Sequence, residues 1–229
     1  KHVQKFVDQL LNSDTTSLMS FAISGCPGSG LTSFAVSIAK SGFTFVKLIL
    51  AKNFIGKSED QIANEILNVF QNAYKSKSAA IVIDDLDAII EYSPIGPRFA
   101  NKILQALLVL LKQPPPQGSK LGIFTTTSQR PEMASIGVDS RYFYEEIQLP
   151  TITEVKELQI IAKEACNVEL VVDSQDIDEA DQYLLSNRIP IKKVIECIDF
   201  VAFEEKGSET IRWGKLYDAL KEHIKLNRI

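Results

Sequence analysis

Between Leu18 and Lys40 the chain reads LMSFAISGCPGSGLTSFAVSIAK, an apolar run, a glycine-rich turn and an amphipathic run in direct succession. The apolar Leu18–Ile23 run has strand character, and the stretch from Thr32 to Lys40 has helical spacing. Between them, Gly25-Cys26-Pro27-Gly28-Ser29-Gly30 is a tight loop of phosphate size. Gly25, Gly30 and Thr32 fall on the pattern G-x-x-x-x-G-K-[ST]. Its glycines let backbone N–H groups curl around a polyphosphate, and the helix N-terminus adds partial positive charge. The reading therefore assigns Gly25, Cys26, Pro27, Gly28, Ser29, Gly30, Leu31, Thr32 and Ser33 to a phosphate loop, with the Thr32 hydroxyl placed for Mg²⁺. The lysine position of the pattern holds Leu31. A hydrogen bond to a charged group is worth roughly 1.5–3 kcal/mol, so its loss predicts phosphate affinity lower by about tenfold to a hundredfold.

A second element belongs with the first. Ala79-Ala80-Ile81-Val82-Ile83 is a buried strand ending in Asp84-Asp85, the form of a Walker B element. The first carboxylate, Asp84, is placed for Mg²⁺ or its water shell beside Thr32. Hydrolytic versions usually carry Glu next, to position the attacking water. Asp85 is one methylene shorter and serves poorly as that base. The strand Lys120–Ser128 ends in Thr125-Thr126-Thr127-Ser128, polar residues where the ligand crevice of a parallel sheet lies. Arg98 stands in a Gly/Pro-rich loop, either reaching a neighbouring subunit or solvated. Lys192 and Lys193, near the start of a late helix, touch phosphates from above or form a surface face. Trp213, Phe200 and Phe203 read as helix packing residues.

The rest of the chain supplies the frame. Helical patterns at 3–11, 58–77 and 99–112 alternate with strand patterns at 43–50, 79–85, 120–128 and 142–149, which predicts a parallel sheet sandwiched by helices. Beyond Thr151 the strand signal nearly vanishes, and 155–166, 174–186, 191–203 and 212–227 read as helices. The expected division is an α/β core over 1–150 and a small all-helical lid over 151–229. With 229 residues, 45% of them hydrophobic and a net charge of −4, the chain has an ordinary globular composition, and its charge gives no reason to expect nucleic acid, whose usual footprint is a basic stripe. No apolar run approaches the roughly 18 residues that span a bilayer. Three cysteines fit a reducing compartment, and two histidines far apart argue against zinc. The start Lys1-His2-Val3 lacks an initiator methionine, so a piece of a longer protein is expected.

In this order, the phosphate loop, the Asp-Asp strand end, the Thr/Ser-ended strand and the helical lid resemble an AAA+ ATPase module. The stretch from Asp84 through Tyr92-Ser93-Pro94-Ile95-Gly96-Pro97-Arg98-Phe99 to Gln105–Lys112 is more particular, as are Pro115–Gly118 and Ile55–Glu59. It resembles the second ATPase domain of the N-ethylmaleimide-sensitive fusion protein (Sec18) family, most closely from Phe54 to Ser128. That resemblance implies a cytosolic hexamer which, with SNAP adaptors, disassembles SNARE complexes after membrane fusion, peripheral to membranes and not inserted in them. It implies that the domain binds ATP or ADP with Mg²⁺ and mainly holds the hexamer together. By position, Thr32 and Asp84 serve Mg²⁺, Asp85 is a degenerate catalytic acid, Ser128 is sensor 1, and Ile191-Lys192-Lys193 holds the sensor 2 lysine. Leu31 departs from the pattern, and no arginine finger follows the sensor 1 strand, although Arg130 and Arg141 lie nearby. Both departures predict negligible hydrolysis. A purely structural ring module with an empty loop is the alternative reading; an autonomous NTPase is disfavoured by Leu31 together with Asp85.

Overall fold

The computed structural model describes residues 2–95, 98–205 and 209–226, with side chains of the last helix through Glu222. Gly96 and Pro97 of the resemblance stretch and Asn227 of the last expected helix lie outside the described residues. The chain divides into two compact units, Lys1–Gly25 with Leu31–Leu149 and Cys26–Gly30 with Pro150–Ile229.

The first unit runs α1 (His2–Asn12), β1 (Leu18–Ser24), α2 (Leu31–Gly42), β2 (Phe45–Leu50), α3 (Glu59–Ala73), β3 (Ser78–Asp84), α4 (Leu86–Ile89), α5 (Asn101–Leu110), β4 (Lys120–Thr127), α6 (Arg130–Ser135) and β5 (Glu145–Gln148). The strands form one parallel sheet in the order β2-β3-β4-β1-β5. This is the α/β core that the alternating patterns predict. A capping box closes the start of α3, with Ser58 and Gln61 each satisfying the other's backbone N–H. The short helix α6 has no signature in the sequence, its six residues being too few to show a period.

Alternation along the strands decides which helices each residue meets, because successive side chains point to opposite faces. On β3, Ala79, Ile81 and Ile83 join the cluster of α3 and α5, containing Ile62, Ile66, Phe70, Leu104 and Leu107. Ala80 and Val82 join the opposite cluster, with Val7 and Leu10 of α1 and Ala35 and Ile38 of α2. The same split holds on β4, where Leu121 and Ile123 face α3 and α5 while Phe124 faces α2. Phe124 stacks on Phe21 of β1 with centroids 5.0 Å apart, and the two are register partners.

The second unit contains α7 (Val155–Cys166), β6 (Glu169–Val171), α8 (Ile177–Asn187), α9 (Ile191–Glu204), β7 (Thr210–Arg212) and α10 (Trp213–Leu226). It is helical, as expected, apart from the short parallel pair β6–β7, in which buried Leu170 lies opposite buried Ile211. Three residues per strand are too few for an alternation signal. Trp213 is buried in this unit's core. Phe200 and Phe203 correct the sequence reading: they are 52% and 83% exposed. The buried stripe of α9 is Val194, Cys197, Ile198 and Val201, which leaves both phenylalanines on the other face.

Candidate functional site

β3 ends in Asp84, whose even position puts it on the α2 face. Its carboxylate is buried and accepts two hydroxyl hydrogen bonds, from Thr32 Oγ1 at 3.0 Å and from Thr126 Oγ1 at 2.8 Å. Thr126, at an even position on β4, faces the same way. Its oxygen also accepts the backbone N–H of Asp85 at 2.9 Å. Thr125 and Thr127 are odd. Thr125 donates to the Phe21 carbonyl at 3.0 Å, and Thr127 donates to Asp87 of α4 at 2.8 Å. Asp87 also accepts Gln129 Nε2 at 3.2 Å, and Thr127 Oγ1 accepts the Gln129 N–H at 3.0 Å. All three threonines are buried, so these bonds satisfy groups that would otherwise be costly to desolvate.

Asp85 occupies the position before α4 in the left-handed region, with φ 52° and ψ 64°, and its side chain makes no capping hydrogen bond. Such a conformation costs a non-glycine residue about 1–3 kcal/mol and is retained where the surroundings fix it. The Thr126 hydroxyl is one such constraint. The Asp85 carboxyl is held above the usual carboxylate range, first by partial desolvation and then by the charges of Asp84 and Asp87. Three acids thus converge around a strand end next to a threonine hydroxyl. The donor set of Asp84 and Thr32 is all oxygen, which fits a hard divalent cation such as Mg²⁺. Among the described residues no group of three or more His, Cys, Asp or Glu forms a metal cluster.

The loop joining β1 to α2 makes a tight turn, with Ser29 N–H donating to the Cys26 carbonyl at 3.0 Å. Gly28 and Gly30 have φ of 83° and 86°, values that L side chains rarely adopt. Within the second unit the Lys192 N–H donates to the Gly28 carbonyl at 3.0 Å, and a Cβ on Gly28 would meet Pro190 and Lys192 at 3.4 Å. Among the described residues Ser29 Oγ is buried with no hydrogen-bond partner. Ser29 also lines an apolar cavity of about 270 Å³ with Ile152, Ile160, Ile161, Pro190 and Ile191. Ligand pockets run from about 300 Å³ upward, so this cavity has room for a ring system and not for a whole nucleotide.

Thr32, Asp84 and Asp85 therefore come together in the first unit, and Cys26–Gly30 come together with Lys192 in the second. Lys192 is exposed, and Lys193 is ion-paired with Glu196 at 2.9 Å. Ser128 is half-buried just beyond the end of β4, and Ser33 stands in the first turn of α2. Thr126 and Asp87 carry more of the observed bonding than the sequence reading gave them. Strand parity from Asp84 would have singled out Thr126. Leu31 is 7% exposed and packs in the cluster of Phe21, Ala35 and Phe124, so it serves as a core residue. Arg130 is bound to both Glu146 carboxylate oxygens and to the Val138 carbonyl, and Arg141 is paired with Asp139 at 2.7 Å. Arg98 is exposed, bridged through its backbone to Ser93.

The profile of the ATPase family associated with various cellular activities (AAA) matches residues 21–150. The chain is 36% identical over 201 residues to a vesicle-fusing ATPase of Dictyostelium discoideum, covering 87% of this chain and 26% of that protein. It is 35% identical over 235 residues to a vesicle-fusing ATPase of Arabidopsis thaliana, covering 98% and 31%. It is 37% identical over 206 residues to the vesicular-fusion protein SEC18 of Saccharomyces cerevisiae, covering 90% and 27%. The chain thus spans about a quarter to a third of the length of these relatives. By the family profile and by these identities, the chain belongs to the AAA family of ATPases, as an AAA domain of the vesicle-fusing ATPase (Sec18) kind.

Proposed function

We propose that this chain is a degenerate, nucleotide-binding assembly domain, the second ATPase domain of a parent protein that disassembles SNARE complexes with SNAP adaptors. In this reading residues 1–150 are the nucleotide-binding core and 151–229 the lid subdomain. The observation that carries it is the Thr32–Asp84 hydrogen bond, which brings a hydroxyl and a carboxylate from separate elements to one point. The loop amides of 26–30 take the phosphates, assisted by Ser33, Lys192 and Lys193, and the apolar cavity beside Ser29 takes the base. Thr32 and Asp84 hold Mg²⁺, which supplies the positive charge that Leu31 does not. Asp85 is too short to serve as a strong base and Ser128 is left as the sensor, so binding outlasts turnover.

The parent's work is cytoplasmic and the domain's share of it is holding a homo-hexamer together around bound ATP or ADP. Titration with a fluorescent ATP analogue in Mg²⁺ tests the site. Binding that weakens at least tenfold in Thr32→Ala and Asp84→Asn supports it, and binding unchanged in both overturns it. A second reading has a specific observation behind it. Because Leu31 is a core residue, the loop can be empty and the domain a structural ring member. No binding by the natural chain at millimolar analogue favours that reading.

A further inference from the structure

Two large apolar side chains are left in water on one face of α9. Phe200 and Phe203, three residues apart, are 52% and 83% exposed, and positions at that spacing are neighbours on a helix surface. Scattered exposed apolar residues are normal on a protein surface, but adjacent aromatics on one helix are a patch. The patch borders a groove of about 390 Å³ between α9 and α10, with Phe200, Val201 and Ala219 as its apolar lining. The rim is acidic: Glu204, Glu205, Asp218 and Glu222 line the same groove. Its lysine, Lys215, is ion-paired to Glu205.

We propose that this face of α9 and α10 docks a basic amphipathic segment of a partner protein. Apolar anchors of the segment cover Phe200 and Phe203 while its Lys and Arg side chains meet the carboxylate rim, the helix-in-groove mode. The charge selects the occupant. A carboxylate rim repels anionic lipid headgroups and acidic segments, and like-charge juxtaposition is what suppresses wrong partners.

The test uses the whole 229-residue chain and two fluorescein-labelled helical peptides with identical Leu/Trp anchors, one carrying Lys on its polar face and the other Glu. Fluorescence anisotropy is expected to show micromolar binding of the Lys peptide, and at least tenfold weaker binding of the Glu peptide. Phe200→Ser with Phe203→Ser, and separately Glu204→Lys with Asp218→Lys, should each weaken the Lys peptide at least tenfold. These are surface positions, and circular dichroism confirms that the variants fold. Asp178→Lys with Glu179→Lys changes the net charge equally on exposed α8 and should leave binding within twofold. Equal binding of both peptides, equal loss in the α8 variant, or binding indifferent to the phenylalanines overturns the proposal. So does peptide-independent self-association that disappears in the phenylalanine variant.

Discussion

Thr126 donates a hydroxyl hydrogen bond to Asp84 at 2.8 Å and accepts one from the backbone N–H of Asp85 at 2.9 Å, so one buried side chain fixes both acids at the end of β3. Replacing it with Val keeps the shape and removes both bonds. A buried group left unsatisfied costs about 1–3 kcal/mol. Thr126→Val should therefore lower stability by about that amount in urea unfolding, whereas Thr126→Ser should recover most of it. Equal losses in the two variants would assign the cost to packing instead.

The two ends of the acid spectrum in the first unit should respond oppositely to pH. The Asp85 carboxyl is raised, so the folded chain keeps that proton to higher pH than the unfolded chain does. Stability from this group is present at low pH and is lost as pH rises from the usual carboxylate range through the raised value. Asp85→Asn, which tolerates the left-handed backbone, should be more stable than the natural chain at neutral pH and no more stable at acid pH. Asp139 is lowered to about 2 by hydrogen bonds from Arg141. Its contribution is present above the usual carboxylate range and is lost as pH falls toward about 2. Carboxyl ¹³C titration by NMR should show Asp139 moving back up in Arg141→Ala while Asp85 does not move.

Much of this arrangement is legible in the sequence. The five strands of the first unit, the meeting of Thr32 with Asp84, and the helices of the second unit follow from hydrophobic period and from the glycine loop. The Thr126 and Thr127 bonds were not read, although alternation on β4 separates them: even positions face α2 with Asp84, odd positions face α4 with Asp87. Phe200 and Phe203 look core-like by their positions in a helix, whereas the stripe Val194, Cys197, Ile198, Val201 already fills the buried face. The β6–β7 pair forms through tertiary contact around Leu170 and Ile211, which no local pattern announces.

Gly122 sits in the middle of β4 beneath the Phe43 ring. A Cβ there would lie 2.6 Å from Phe43 Cζ and 3.2 Å from Phe124 Cε2. Overpacking of this kind costs typically about 1–3 kcal/mol. Gly122→Ala should lower the thermal midpoint, and adding Phe43→Leu should recover part of the loss.

Leu31 sets two quantities against each other. Its side chain is buried in the α2 cluster, and burying a leucine is worth about 1.5–3 kcal/mol. Leu31→Lys should lose part of that in denaturant unfolding, the lysine stem retaining the rest by keeping its ammonium toward water. The same change should strengthen phosphate binding.

Calorimetric titration with ATP and Mg²⁺ of the natural chain beside Leu31→Lys is the most direct measurement of the central claim. The account predicts that the natural chain binds, through the loop amides, Thr32 and Asp84, and that the lysine tightens binding by about tenfold to a hundredfold. Heat from Leu31→Lys alone, with none from the natural chain at millimolar ATP, would contradict it and leave the domain as a structural ring member.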